Sequence, residues 1–244
     1  MGTPTHTFST LELDLIEQLC EAVSHTTYAT LFIIDHHTHS FHAVKGHPLL
    51  LCGHTEEEVQ EMGLRFFAEH STPEGRLILE TFHQAMHNYV YALHQTEREN
   101  RKLMFSFHFQ LVADEKKRLP VRCEMTPMLF NENGDYRLVY SKLSLTPRNE
   151  EAEGLLLVKD TTNNQEWKYS WENHQWNEYL PTSLSELERS ILTLTSMGYT
   201  EEDIANESHK ALSTIKSCKQ RLFEKLEVKN VMEATGVALT RHLL

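Results

Sequence analysis

The chain has 244 residues, of which 40% are hydrophobic and 24% are charged, and its formal net charge is −12 at pH 7. This composition fits a globular chain of one large or two ordinary domains and excludes a collagen-like, coiled-coil or mostly disordered one. No run approaches the roughly 20 apolar residues that cross a bilayer, and the polar N-terminus lacks the apolar core of a signal peptide. The four cysteines lie far apart without a CxxC pair, which favours a reducing, cytoplasmic compartment.

The charge is unevenly distributed. Residues 182–244 carry a net charge of −1 and the remainder −11. The segment Lys210–Lys229 holds six bases and two acids. A short basic stripe in an acidic chain is typical of local phosphate contact, and a solvated helix face is the alternative.

Helical and strand patterns alternate in the first hundred residues. Apolar residues at helical spacing predict a helix over Leu11–Val23, and the β-branched and aromatic run Tyr28–Ile34 predicts a buried strand. A second strand at Phe41–Val44 would complete a hairpin. Thr72, followed by Pro73 and an acid, predicts the start of a helix that runs to about Gln95.

The hydrophobic period then changes from 3.6 to 2. Three alternating runs follow, separated by the polar turns 114–117 and 131–135, and the second turn contains the hairpin signal Asn133-Gly134. An antiparallel meander with one buried face is therefore predicted. Its inward positions are Phe105, Phe107, Phe109 and Leu111; Val121, Cys123 and Met125; and Val139, Ser141, Leu143 and Leu145.

This order of elements resembles a PAS domain from Thr27 to Pro147, with a GAF-like or other α+β sensor as the alternative. The resemblance implies a five-stranded antiparallel sheet with helices on one side, acting as a sensor or dimerisation module. The flavin-binding subclass carries Asn-Cys-Arg-Phe-Leu, whereas this chain has Gly63-Leu64-Arg65-Phe66-Phe67, without the reactive cysteine. We therefore predict no specific cofactor and leave open an unknown small ligand.

Two features of this region bear on other functions. Asp35 ends a strand, as the phosphorylated aspartate of a receiver domain does, but no acidic pair precedes it, and a turn-starting aspartate is the simpler interpretation. Twelve of the 16 histidines fall between His25 and His108. His83 and His87 have metal-binding spacing, but no further ligand is evident in sequence, so surface histidines are favoured over a metal site.

The three tryptophans, Trp167, Trp171 and Trp176, lie within ten residues. The spacing of Trp167, Trp171 and His174 also allows a helix, but the asparagines favour hairpins, so we predict β-structure here, with residues 155–158 pairing across the turn at 160–164. The structural interpretation is an aromatic plug or an extension of the sheet, and the functional alternative is contact with an aromatic ligand.

Four short helices are predicted from Leu184 onward. Ser185 with Glu188 and Asn230 with Glu233 have the spacing of capping boxes, Thr200 caps a second helix, and the third runs over Ser213–Leu226. The second and third helices, joined by a tight turn, form a helix-turn-helix.

This segment resembles the LuxR-type helix-turn-helix family. The matching string is Leu184-Ser185, Glu188, Ile191-Leu192, Gly198-Tyr199-Thr200, Asp203-Ile204-Ala205, Thr214-Ile215-Lys216, Leu222-Phe223-Glu224-Lys225-Leu226, Val228-Lys229-Asn230 and Glu233-Ala234. Three departures stand out: Ala211 replaces a capping Ser, a role that Ser213 is expected to take over; Ser208 replaces a core Leu; and Glu227 replaces a Gly.

The third helix has two faces on a helical wheel. Ile215, Leu222 and Leu226 should be buried, and the opposite face can enter the major groove. The resemblance places Lys216, Ser217 and Gln220 at groove-contacting positions. Lys219 points nearer the core and adds only positive potential. The predicted DNA-binding residues are Thr214, Lys216, Ser217, Gln220, Arg221 and Lys225.

Together these patterns predict a multidomain α+β chain. Its parts are an N-terminal helix (1–26), a PAS-like antiparallel sheet with helices (27–150), an aromatic-rich connector (151–181) and an all-α four-helix helix-turn-helix domain (182–244). The expected function is a cytoplasmic, homodimeric, sequence-specific DNA-binding transcriptional regulator controlled by a small-molecule or protein signal. The alternative is an interaction adaptor whose C-terminal helices only dimerise. No hydrolase, zincin or nucleotide-binding motif is present, so we expect neither an enzyme nor a membrane protein.

Overall fold

The computed structural model describes residues 10–93, 101–114, 117–130, 136–146, 154–179, 183–240 and 243. The chain divides into two compact units, Met1–Leu180 and Pro181–Leu244. The predicted turn at 131–135, residues 115–116 of the preceding turn and the predicted helix end at Gln95 lie outside the described residues. No helix in the described ranges is long and apolar enough to span a bilayer.

The first unit is built on an antiparallel sheet. Its strands are β1 (Ala29–Asp35), β2 (Ser40–Lys45), β3 (Leu103–Asp114), β4 (Lys117–Phe130), β5 (Tyr136–Leu145), β6 (Leu156–Asp160), β7 (Gln165–Ser170) and β8 (Gln175–Tyr179). Their order across the sheet is β2-β1-β5-β4-β3-β6-β7-β8. The predicted antiparallel sheet is confirmed: the region that resembles a PAS domain supplies the five strands β1 to β5, and among the described residues β6, β7 and β8 extend the sheet.

The period-2 pattern places its apolar residues on the buried face as predicted, except that Leu145, at the end of β5, is 45% exposed. Phe105 pairs with Met125, and Cys123 pairs with Leu143, so that the inward residues of β3, β4 and β5 lie in register. The phenylalanines of β3 are at most 2% exposed. Their burial against the helices forms the main core of the unit.

Helices cover the core face of the sheet. They are α2 (Glu56–Met62), α3 (Arg65–Glu69) and α4 (Pro73–Ala92), with a short 3₁₀ turn at Pro48–Leu51. The Thr72 hydroxyl accepts a hydrogen bond from the Gly75 amide at 3.0 Å, which confirms the predicted cap of α4. The ring centroids of Phe82 on α4 and Phe107 on β3 are 4.0 Å apart, so this helix packs directly on the meander.

Helix α1 (Thr10–Ser24) packs on the other face of the sheet, where Cys20 joins a separate apolar cluster with Ile33, Ala43 and Leu138. The Lys45 ammonium lies 2.9 Å from the Glu21 carboxylate and 3.4 Å from that of Glu56. This lysine of β2 therefore forms ion pairs with both α1 and α2.

The aromatic segment that the sequence sets apart as a connector supplies strands β6, β7 and β8 of this sheet. Val158 pairs with Trp167, as predicted for the β-interpretation. The Trp176 indole donates to the Ala85 carbonyl of α4 at 3.2 Å, and the Trp171 indole donates to the Gly154 carbonyl at 2.8 Å. The tryptophans thus anchor the extension of the sheet within the first unit.

The second unit contains the four predicted helices: α5 (Glu186–Ser196), α6 (Glu201–Glu207), α7 (Leu212–Leu226) and α8 (Val231–Thr240). Ser185 with Glu188 and Thr200 with Asp203 form complete capping boxes. A single apolar cluster joins all four helices. Ala234 and Ala238 of α8 are fully buried in it.

Candidate nucleic-acid interface

Helix α7 has one buried and one exposed face. The buried stripe consists of Ile215, Cys218, Leu222 and Leu226. Leu222 is 0% and Leu226 1% exposed, so this stripe fixes the rotation of the helix about its axis. The opposite face is therefore held outward by the core of the unit.

All the sequence-predicted DNA-binding residues lie on the exposed side of α7. Ser217 and Gln220, whose occlusion would have excluded groove contact, are exposed. The remaining predicted residues share this exposure: Thr214, Lys216, Arg221 and Lys225. The face is therefore sterically free within the unit to approach a duplex.

Lys225 is already engaged within the unit. Its ammonium lies 2.9 Å from Glu188 Oε2, the same oxygen that accepts from the Ser185 amide at 2.8 Å. Burial opposes ionisation of Glu188, but the Ser185 hydrogen bonds and the Lys225 pair outweigh it and lower the pKa of that carboxyl. A phosphate that contacts Lys225 would have to compete with this carboxylate.

The start of α7 carries no side-chain cap. The N-cap residue is Ala211, and no side-chain hydrogen bond closes this end of the helix. The expectation that Ser213 takes over the cap is therefore wrong: the helix already begins at Leu212, ahead of that residue. At the other end Glu227 adopts a left-handed conformation with φ of 57°.

The sequence did not assign a role to the acids on this face. Gln220 Nε2 donates to Glu224 Oε1 at 3.0 Å, one helical turn away. Glu224 and Glu227 line a surface hollow of about 510 Å³, and the basic residues Lys216, Lys219 and Lys229 line it with them. The interface therefore presents alternating charges rather than a uniformly basic stripe.

A second candidate site lies in the first unit, in a cavity of about 550 Å³. Here the ring centroid of His36 is 5.4 Å from that of His83 and 4.8 Å from that of Tyr136. Burial, with a smaller contribution from His83, lowers the pKa of His36 to about 3. The cavity lining also includes Leu64, Phe67, Leu79 and His87.

The structure brings together histidines that the sequence placed on separate elements. His36 follows β1 and His83 lies on α4, and both are half-buried rather than freely exposed as the surface interpretation expected. The buried Nε2 of His36 has no hydrogen-bond partner in the described part of the chain. Among those residues no group of three or more His, Cys, Asp or Glu side chains is placed to hold a metal ion.

Comparisons with known proteins identify the second unit. Residues 182–238 match the GerE model, described as bacterial regulatory proteins of the luxR family. This match shows that the four helices form a LuxR-type helix-turn-helix domain. No curated protein matches the chain.

Several solved structures show a limited likeness to the whole chain. The phage VqmA–DPO complex is 18% identical with a TM-score of 0.35, over 96% of this chain and 92% of that one. The Vibrio cholerae VqmA dimer in the absence of target DNA is 14% identical with a TM-score of 0.32, over 97% and 89%. An RNA-binding light-oxygen-voltage receptor is 13% identical with a TM-score of 0.36, over 85% and 47%.

Proposed function

We infer that this chain is a DNA-binding transcriptional regulator, because its second unit is a LuxR-type helix-turn-helix domain. The observation that carries this function is the exposed polar face of α7 above the buried stripe of Ile215, Leu222 and Leu226. A helix held in this way can enter the major groove with its polar face toward the base edges. We assign the chain no catalytic activity.

Individual contacts on α7 are proposed as follows. Lys216 contacts a phosphate or a guanine, Ser217 lies at the groove, and Gln220 reads an adenine edge. Thr214, Arg221 and Lys225 hold phosphates and set the position of the helix on the duplex. The exposure of all these side chains supports the assignment, and the Lys225–Glu188 pair limits what Lys225 can contribute.

The first unit is proposed to be the sensor. Its cavity of about 550 Å³ has the size of a small-molecule site, and its lining combines apolar side chains with polar and charged ones, among them Arg76, Glu80 and Gln84, that would orient a ligand. The unpartnered Nε2 of His36 could accept or donate one hydrogen bond to such a ligand. Binding would shift the population of conformations in which the DNA-binding helices are correctly presented.

We further propose that the chain acts as a homodimer in the cytoplasm, on an operator with inverted half-sites. Two copies of α7 held one helical turn of DNA apart would read such a site. The buried small residues Ala234 and Ala238 serve the core of their own unit. A partner copy would therefore contact the exposed positions of α8, among them Met232, which is 83% exposed.

The test begins with selection of an operator from a randomised duplex library by the full chain. Lys216→Ala and Gln220→Ala are then compared with the unaltered chain in gel shifts at several salt concentrations. We expect both variants to bind the selected duplex at least about tenfold more weakly. Failure to select any sequence, or a binding affinity that neither substitution alters, would exclude the proposed function.

The sensor assignment has its own experiment. Small molecules released from the purified, denatured chain are analysed by mass spectrometry, with Leu79→Trp as the variant that fills the cavity. A compound retained by the unaltered chain and lost from the variant supports a ligand in this cavity. Equal retention by both proteins places the compound elsewhere.

A further inference from the structure

Glu224 and Gln220 form an isolated pair on the exposed face of α7. Gln220 Nε2 lies 3.0 Å from Glu224 Oε1, and the two residues are four apart on the helix. Within the part of the chain that the structure describes, Glu224 makes no ion pair. Its carboxylate is therefore directed to the amide of the residue proposed to read a base.

The chemistry of the pair determines the orientation of the amide. A free glutamine side chain can rotate to present either its carbonyl oxygen or its NH₂ group, and the two ends have nearly the same shape. An ionised carboxylate can only accept hydrogen bonds, so the NH₂ group of Gln220 must face Glu224. The carbonyl oxygen of Gln220 then faces away from Glu224, and one N–H remains unused.

We propose that Glu224 is a positioning residue for base specificity, which it exerts by fixing the direction of the Gln220 amide. This inference rests on the proposed function, since it concerns how α7 reads DNA. An adenine edge offers an amino group and N7, which match the free carbonyl oxygen and the free N–H of Gln220. A guanine edge offers two acceptors, O6 and N7, which a fixed carbonyl oxygen cannot satisfy.

The negative charge of Glu224 would act separately from its hydrogen bond. Facing a duplex, the carboxylate repels phosphates and weakens binding to every sequence alike. Glu227 supplies a matched control because it carries the same charge and lines the same surface hollow. Its side chain makes no hydrogen bond to Gln220.

The experiment compares sequence selection by five full-length proteins on one randomised duplex library: the unaltered chain, Glu224→Gln, Glu227→Gln, Gln220→Ala and the double variant Gln220→Ala with Glu224→Gln. Glutamine at 224 has the shape of glutamate but can also donate, so it no longer dictates how the neighbouring amide points. Residue 220 reads the position at which the single variant Gln220→Ala loses the base preference of the unaltered chain. Binding constants for duplexes with each base at that position are then measured.

We expect the unaltered chain to prefer adenine to guanine by about tenfold at that position. Glu224→Gln should reduce this preference to about twofold, and Gln220→Ala with Glu224→Gln should have no more effect than Gln220→Ala alone. Glu227→Gln should strengthen binding to all duplexes and keep the preference. These outcomes separate amide orientation from charge.

Two kinds of failure are distinguishable. If the unaltered chain selects no sequence, the proposed function fails and this inference fails with it. If a sequence is selected but Glu224→Gln keeps the full adenine preference, or if guanine is preferred at the Gln220 position, only the role of Glu224 is excluded. If Gln220→Ala leaves the selected sequence unchanged, again only the role of Glu224 is excluded.

Discussion

Lys219 and Glu201 join the two helices of the helix-turn-helix, with the lysine Nζ 3.0 Å from Glu201 Oε1. The same ammonium lies 6.0 Å from the centre of the Phe223 ring. Both charged side chains are partly buried, so the pair serves the junction of α6 and α7. Lys216, one turn earlier on α7, is exposed and makes no ion pair with any described residue.

The two lysines should therefore differ in their contribution to DNA binding. We expect Lys216→Met to weaken binding to all duplexes and to reduce the slope of log affinity against log salt by about 1, because one phosphate contact is lost. Lys219→Met keeps an unbranched apolar side chain at this position and should leave that slope nearly unchanged. Fluorescence anisotropy with a labelled duplex across a salt series measures both slopes. Equal slopes for the two variants would contradict this division of roles.

The uncapped start of α7 offers a second prediction. Ala211→Ser places a hydroxyl where it can accept from an amide of the first turn, which should stabilise the second unit by about 0.5–2 kcal/mol. Slower hydrogen exchange of the amides at 213 and 214, together with a higher unfolding temperature of this unit, would report the new cap. Ala211→Val is the control, because valine is as poor an N-cap residue as alanine and supplies no acceptor for these amides. Unchanged exchange in Ala211→Ser would show that the new hydroxyl does not bond there.

The other end of α7 is strained by Glu227, whose φ is 57°. Glycine adopts this left-handed conformation without the clash of a Cβ, and glutamate does so at a cost of roughly 1–2 kcal/mol. Part of the gain is offset because glycine also gives the unfolded chain more freedom. We therefore expect Glu227→Gly to raise the unfolding free energy of the second unit by about 1 kcal/mol, measured by calorimetry. Glu227→Asn should give a smaller gain and Glu227→Val a loss, and the reverse order would refute the assignment of strain.

The second unit was predictable because its determinants are local. The capping boxes of Ser185 and Thr200 involve residues three apart, and the burial of Ile215, Leu222 and Leu226 follows from their spacing on one helix. The same locality explains why the exposed DNA-binding face could be named. The Lys225–Glu188 pair could not be predicted, because it joins residues 37 apart in sequence on different helices.

The first unit depended on pairings between distant segments. Period-2 patterns predicted strands, but they carry no information on which strands become neighbours. Phe105 of β3 pairs with Val158 of β6, and Ile33 of β1 pairs with Tyr140 of β5. The first pairing draws the aromatic segment into the sheet. Because the sequence pattern does not show this pairing, it predicts a separate connector there. The meeting of His36 and His83 likewise depends on how α4 crosses the sheet.

A close backbone approach in the first unit gives a further prediction. A Cβ added at Gly46 would lie 2.4 Å from Thr30 Cα, and the Gly46 amide donates to Glu56 at 2.9 Å. Gly46→Ala must push β1 away from the segment that follows β2. We therefore expect the unfolding free energy of the first unit to fall by about 1–3 kcal/mol or more, as for other overpacking changes. Urea unfolding followed by tryptophan fluorescence reports this unit, since it contains all three tryptophans.

Gly53→Ala provides the matched control for this substitution. Gly53 has φ of 87° with nothing within 4 Å of an added Cβ, so alanine there meets only backbone strain. We expect Gly53→Ala to lower the unfolding free energy of the first unit less than Gly46→Ala does. The opposite order would mean that the contact between Gly46 and Thr30 relaxes easily.

The His36 imidazole makes the stability of the first unit dependent on pH. Its pKa is lowered to about 3, first by burial and then by the charges of His83 and His39, against a small opposing effect of Asp35. The unfolded chain has the ordinary histidine pKa near 6.5, so between pH 6.5 and 3 it binds more protons than the native state. The unfolding free energy therefore falls as the pH drops through this range, and the full stability is present above about pH 6.5.

Replacement of His36 by phenylalanine should remove this contribution while the aromatic contact with Tyr136 is kept. Between pH 7.5 and 5.0 we expect the unfolding free energy of the unaltered chain to fall by about 2 kcal/mol more than that of His36→Phe. Urea unfolding followed by tryptophan fluorescence measures both. A smaller slope should persist in the variant, because burial also lowers the pKa of His83. His37→Gln, at an exposed neighbouring position, is the control and should lose as much as the unaltered chain. An equal loss in His36→Phe and the unaltered chain would show that the proton is taken up elsewhere.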